Sequence, residues 1–138
     1  MTRIFWDTSL FLYLFEGGLH GDEVKRLRER MIARGDRLLT SSLTLGEVLV
    51  RPMTAGEEVT TKYESAMTRA ATIVSFDGVA SQRYATLRAD VSLSPHDAIQ
   101  LACASAAGTD MFITNDDRLA GKVVPGIKFI SSLSRAFL

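Results

Sequence analysis

The sequence predicts an α/β fold: a mostly parallel sheet of about four to five strands with helices on both faces. Three observations predict it. Short apolar, β-branched or aromatic runs alternate with segments of helical periodicity along the whole chain. Helical segments separate most of these runs, so the connections are long enough for right-handed crossovers between parallel strands. Neither a repeat nor a low-complexity tract interrupts the alternation, and Pro52, Pro95 and Pro125 fall at plausible element edges.

Each element has a local reason. Arg3-Ile-Phe-Trp-Asp7 is an apolar, aromatic strand. Ser9 to Phe15 is a short helix closed by Gly17-Gly18. Asp22 to Arg34 repeats Val24, Leu27 and Met31 at helical spacing and stops at Gly35. Arg37 to Thr40 is a second strand. Ser41-Ser42 caps a helix expected to reach Val50 and to end at Arg51-Pro52. Glu57 to Ala70 sets Val59, Tyr63, Ala66, Met67 and Ala70 on one stripe. Thr72 to Phe76 is a third strand and Val79 to Ala89 a helix. In Ser94-Pro95-His96-Asp97 a capping serine, a first-turn proline and an acid begin a helix that runs to Ala107, before Gly108. Met111 to Thr114 and Lys128 to Ile130 are the last strands, and a short terminal helix carries Leu133 and Phe137.

The 138 residues make one domain, 1–138, able to bury roughly two-thirds of the unfolded surface without staples. Hydrophobic residues at 46% and charged residues at 23% exclude a disordered chain. The single cysteine, Cys103, excludes a disulfide framework and a zinc–thiolate cluster, and reads as a small buried apolar residue. Leu10 to Phe15 is too short an apolar run to span a bilayer, and no secretory leader is visible. A cytoplasmic protein with no membrane association is expected. Sixteen basic residues balance sixteen acidic ones, which excludes a bulk polycation but not a local patch. Lys25, Arg26, Arg28, Arg30, Arg34 and Arg37 crowd one stretch. They form either a solvated helix face or a footprint for RNA phosphates, with Arg26, Arg30 and Arg34 as the contacts.

In such sheets ligands collect beyond the carboxyl ends of the strands. Asp7 closes the first strand, Asp116 follows the fourth, Asp97 lies in the first turn of its helix, and Glu47 sits near the start of the helix after the second strand. All four fall near one edge. Each has a plainer role: Asp97 in capping, Asp7 or Asp116 in a turn, Glu47 on a helix surface. The apolar neighbours Leu43, Leu45, Val48 and Leu49 argue against a merely exposed Glu47. Clustered carboxylates repel one another and need a cation, and magnesium or manganese prefers their oxygens. No serine elbow, phosphate-cradling glycine loop or histidine–carboxylate–histidine metal motif offers another chemistry.

Four signatures carry a resemblance: Phe-Trp-Asp7-Thr-Ser-Leu-Phe-Leu-Tyr, Thr-Ser-Ser-Leu-Thr-Leu-Gly-Glu47-Val-Leu, Ser-Pro-His-Asp97-Ala-Ile-Gln-Leu-Ala and Met-Phe-Ile-Thr-Asn-Asp116-Asp-Arg-Leu. Their order and spacing, over nearly the whole chain, resemble the PIN-domain family, and within it the VapC-type toxins of toxin–antitoxin pairs. The resemblance implies a three-layer sandwich and metal-dependent endoribonuclease activity. By it, Asp7, Glu47, Asp97 and Asp116 are the acidic quartet. Asp7, Asp97 and Asp116 bind one or two Mg²⁺ or Mn²⁺ ions, and Glu47 completes the shell or orients water. Thr8, Ser9, Thr114 and Asn115 match polar residues lining the site. Asp117 is an alternative to Asp116 or an outer ligand. His96 departs from the family pattern, either as an exposed first-turn residue or as an RNA contact. The implied products carry a 5′-phosphate and a 3′-hydroxyl.

The implied partners are an RNA substrate, a second copy in a homodimer, and a small VapB-like antitoxin packed into or over the acidic cleft. Leu10, Phe11, Leu14 and Phe15 are candidates for the antitoxin or dimer contact, or else core. The other readings are a non-catalytic RNA- or protein-binding module on the same fold, and a phosphoacceptor domain using Asp7 or Asp116 with Lys122 or Lys128.

Overall fold

The computed structural model describes residues 2–136. The elements run β1 (Arg3–Trp6), α1 (Thr8–Glu16), α2 (Gly18–Arg34), β2 (Arg37–Ser41), α3 (Ser42–Ala55), α4 (Glu57–Ala70), β3 (Thr72–Val74), α5 (Gly78–Leu87), α6 (Pro95–Ala107), β4 (Thr109–Thr114) and β5 (Ile127–Ser132), then a single 3₁₀ turn (Leu133–Arg135). The sheet order is β3-β2-β1-β4-β5, and every pair is parallel. The chain first builds β2 and β3 on one side of β1, then returns to place β4 and β5 on the other. The strand order therefore reverses at the seam between β1 and β4, where a parallel sheet opens a crevice at its carboxyl edge.

Alternation along the strands supplies two cores. Ile4, Trp6, Leu38 and Ile113 pack on one face with residues of α1 to α4, including Leu10, Phe11, Val24, Leu27 and Met67. Phe5, Leu39 and Phe112 pack on the other with α5 and α6, including Ala80, Leu101, Cys103 and Ala104. Phe5 and Phe112 stack 5.2 Å apart across the seam, and Trp6 packs at 5.1 Å on Phe11. The middle of α6 is buried on all sides, as its run of small apolar residues requires. Cys103 lies within it, and burial pushes its thiol up to about 11. Among the described residues no helix is long and apolar enough to cross a membrane.

Three expectations change, and one open choice, the role of Leu10 and Phe11, closes in favour of the core. α3 does not end before Pro52 but carries it in its interior and continues to Ala55. Pro52 is buried against a groove shared with α1 and α4, and that packing offsets the hydrogen bond a proline removes from a helix. Leu10 and Phe11 are fully buried and belong to the core, so only Leu14, half-buried, and Phe15, partly exposed and edge-on to Tyr63 at 5.2 Å, reach the surface of α1. β3 ends at Val74, and Phe76 turns away to meet Tyr84. The terminal helix is one 3₁₀ turn containing Leu133, and Phe137 lies outside the described residues.

Candidate functional site

Asp7 sits at the reversal of strand order. Its backbone N–H donates to Ile113 O of β4 at 3.0 Å, and its side chain caps α1, with Oδ1 accepting from Thr8 N at 2.7 Å. The Thr114 hydroxyl, at the end of β4, donates to Asp7 Oδ2 at 2.9 Å. Asp7 is only 7% exposed. Burial pushes its carboxyl above the usual aspartate value, the Thr114 and Thr8 hydrogen bonds and the His96 charge pull it back, and Asp97 adds to the push.

Thr114 also fixes the fourth acid, because its Oγ1 accepts from Asp116 N at 3.0 Å. Arg118 grips the Asp116 carboxylate in a two-pronged pair, Nε to Oδ1 at 3.0 Å and Nη2 to Oδ2 at 2.7 Å, and holds its pKa below the usual value. The intervening Asp117 is exposed. Asn115 donates to the Tyr13 hydroxyl at 2.7 Å, and Tyr13 stacks on His20 at 4.7 Å, forming one wall of the edge.

Glu47 arrives from α3. It is neither a free surface residue nor an unpartnered buried acid. Its Oε1 accepts from the Thr8 hydroxyl at 2.8 Å and from His96 Nε2 at 2.7 Å. His96 Nδ1 lies 3.7 Å from Asp97 Oδ1, so the imidazole stands between the two acids. Burial alone would lower the His96 pKa. The hydrogen bond to Glu47 and the charges on Glu47, Asp7 and Asp97 outweigh it and raise the pKa. The Asp97 N–H is capped by Ser94 Oγ at 3.1 Å, and its side chain is 15% exposed.

The four acids thus lie along one thread of contacts: Asp116, Thr114, Asp7, Thr8, Glu47, His96, Asp97. Among the described residues no three carboxylate or imidazole groups close on one point tightly enough to hold a metal ion between them. Asp7, Glu47 and Asp116 are instead occupied by internal donors. Ser9 is half-buried next to Thr8, and its Oγ is enclosed without a partner among the described residues.

The helix-borne arginines are elsewhere. A helix joining parallel strands runs back against them, so the end of α2 lies at the opposite edge of the sheet. Arg34 pairs there with Asp36 at 3.1 Å, while Arg26 and Arg30 are exposed higher on the same helix. Lys122 and Lys128 are paired with Asp90 and Asp110, both at 3.0 Å. Sequence reasoning passed over Gln100, Thr44, Arg118 and the pairing of His96 with Glu47. Gln100 had a signal: it is one polar side chain in the apolar body of α6, one turn beyond Asp97.

The PIN domain family profile matches residues 4–123. No curated protein matches the chain. Similar solved structures include VapBC2 from Rickettsia felis bound to a promoter DNA fragment (17% identity, TM-score 0.73, 95% of this chain and 98% of that one). A toxin–antitoxin complex from Klebsiella pneumoniae is also similar (24%, 0.69, 90% and 94%), as is DNA-bound VapBC from Salmonella typhimurium (19%, 0.66, 96% and 99%).

Two outcomes follow from the charges. A histidine with a raised folded-state pKa stabilises fully below its unfolded value near 6.5, and that contribution is lost as pH rises through the folded value. Melting temperature in chelator should therefore fall as pH rises above about 6.5, with a flatter slope in His96→Gln; an identical slope would remove His96 from the balance. Asp7 has the raised pKa of a buried acid, so stability falls as pH rises from the unfolded value of 3.8 toward the raised one, and the cost is complete above it. Asp7→Asn keeps a capping oxygen and removes the charge, and should melt higher than the parent in chelator at neutral pH; a lower melting point contradicts this.

Proposed function

The chain belongs to the PIN-domain family, and from that premise we propose that it is a VapC-type toxin, a metal-dependent endoribonuclease that hydrolyses RNA phosphodiester bonds. The observation that carries the proposal is the placing of four carboxylates, from four separate segments, along one thread of side-chain contacts at the reversal point of a parallel sheet.

The donor set fits a hard dication, since it is built from carboxylate oxygens. Asp7, Asp97 and Asp116 would hold Mg²⁺ or Mn²⁺, with Asp117 as the alternative to Asp116. When bound, the ion offsets charge on the phosphate and lowers the pKa of its water. The residues of the chain do the rest. Thr114 keeps Asp7 and Asp116 in fixed relation. Glu47 has one oxygen committed to Thr8 and His96, and its other oxygen orients the attacking water. His96 places positive charge beside the acids, where it meets the RNA phosphate. Arg118 is 81% exposed, so it leaves Asp116 with little loss of packing and turns to a phosphate oxygen. Arg26 and Arg30 steer the RNA backbone from outside the edge. Thr8, Ser9 and Asn115 line the rim.

A small VapB-like antitoxin is the proposed inhibitor, with the toxin working as a cytoplasmic homodimer. A groove of about 250 Å³ between α1, α3 and α4, lined by Leu12, Phe15, Val48, Pro52, Val59 and Tyr63, suits the apolar side chains of an antitoxin segment. A second reading, a non-catalytic RNA- or protein-binding module, is favoured by the acids' being engaged by Arg118 and His96.

Incubation of the purified protein with an RNA panel and Mg²⁺ or Mn²⁺ decides between them. Asp7→Asn and Asp97→Asn should each slow cleavage on the order of a hundredfold or more, whereas undiminished cutting by both variants takes the acids out of the mechanism. In the groove, Val59→Arg should release the antitoxin in a pull-down and leave cleavage intact. Retained binding moves the antitoxin site elsewhere.

A further inference from the structure

We infer that Gln100 is a positioning residue for two of the acids: its amide, clamped by Ser41, holds Asp7 and directs the Thr8 hydroxyl proton onto Glu47. The inference rests on the nuclease reading of this site.

Gln100 is 1% exposed, inside the molecule beneath the acidic edge. Its Nε2 has two protons for three oxygens: Thr44 Oγ1 at 2.8 Å and Thr8 Oγ1 at 2.9 Å take the short bonds, and Asp7 Oδ1 at 3.3 Å shares one of them. Its Oε1 lies 2.5 Å from Ser41 Oγ. The amide has one sensible orientation. Ser41 Oγ already accepts from Thr44 N at 3.1 Å, so its own proton is free to be donated, and it goes to Oε1. Turning the amide over would set a carbonyl against the Asp7 carboxylate, which can only accept.

With that orientation set, the proton count follows. Thr8 Oγ1 receives from Gln100 and sits 2.9 Å from Thr44 Oγ1. Its single proton then goes to Glu47 Oε1 at 2.8 Å. One side chain on α6 thereby sets Asp7 at the end of β1 and, through Thr8, Glu47 on α3. The group is neutral, so it supports Asp7 without competing as a counter-ion. A leucine would leave that buried cluster short of a donor. A glutamate would keep the shape and set another carboxylate against Asp7.

The test uses the full chain with Gln100→Leu, Gln100→Glu and Ser41→Ala. Mn²⁺ binding is measured by electron paramagnetic resonance, alongside RNA cleavage and thermal melting. Both Gln100 variants should bind Mn²⁺ about tenfold more weakly and lose kcat by about tenfold, with KM for RNA nearly unchanged and kcat partly restored at high Mn²⁺. Ser41→Ala should move the same way by less, and carries the test alone should the Gln100 variants not fold. Folded variants with a lower melting point but the parent's Mn²⁺ affinity and kcat would make Gln100 a packing residue and overturn the inference. A parent chain that neither cuts RNA nor binds Mn²⁺ would overturn the nuclease reading and the inference with it.

Discussion

The arrangement of the molecule turns on housing a nearly enclosed aspartate. Asp7 has little access to water, so protein donors must replace its hydration. They come from three directions: the first turn of α1 through Thr8, the end of β4 through Thr114, and the interior of α6 through Gln100. Each donor is available because the strand order reverses beside Asp7, leaving a crevice into which both helix layers contribute. Asp7 is therefore held by the parts of the fold that define its topology, and the acids that face solvent more freely, Glu47 and Asp116, are placed through residues that first touch Asp7 or its donors.

This has an energetic counterpart. Like charges gathered in one place destabilise a fold unless something opposes them. Here two basic side chains do so, His96 against Glu47 and Arg118 against Asp116. Both are at least partly open to solvent, so neither pair is a strong stabiliser, and both are exchangeable for other charges. The buried network of Ser41, Thr44, Thr8 and Gln100 is the opposite case: neutral, enclosed and fully satisfied. The site joins a rigid interior floor to adjustable charges at its mouth.

The fold was legible because its determinants are local and repeated. Periodicity, caps and stops placed nearly every element, and Gly35, Ser94 and Gly108 marked boundaries that the structure keeps. The acids were legible because each follows a strand or opens a helix, so topology alone sends them to one edge. What escaped notice depends on contacts between distant segments. His96 looked like a first-turn surface residue until Glu47, forty-nine positions earlier, came beside it. Pro52 obeyed its usual rule in isolation and broke it because a groove made by two other helices buries it. The arginine-rich stretch was visible as charge, but its distance from the acids follows from the direction in which α2 returns across the sheet.

The separation of the site's parts along the chain has a consequence for synthesis. Asp7 and Thr114 are 107 positions apart, and their strands pair directly. A ribosome has made Asp7, Glu47 and Asp97 before the strand that braces the first of them exists. The growing polypeptide thus holds three of the four acids with no crevice to put them in, because the closing strand is made after them. A site laid out in this order stays incomplete until β4 has been made, and its parts come together only after Thr114 can brace Asp7.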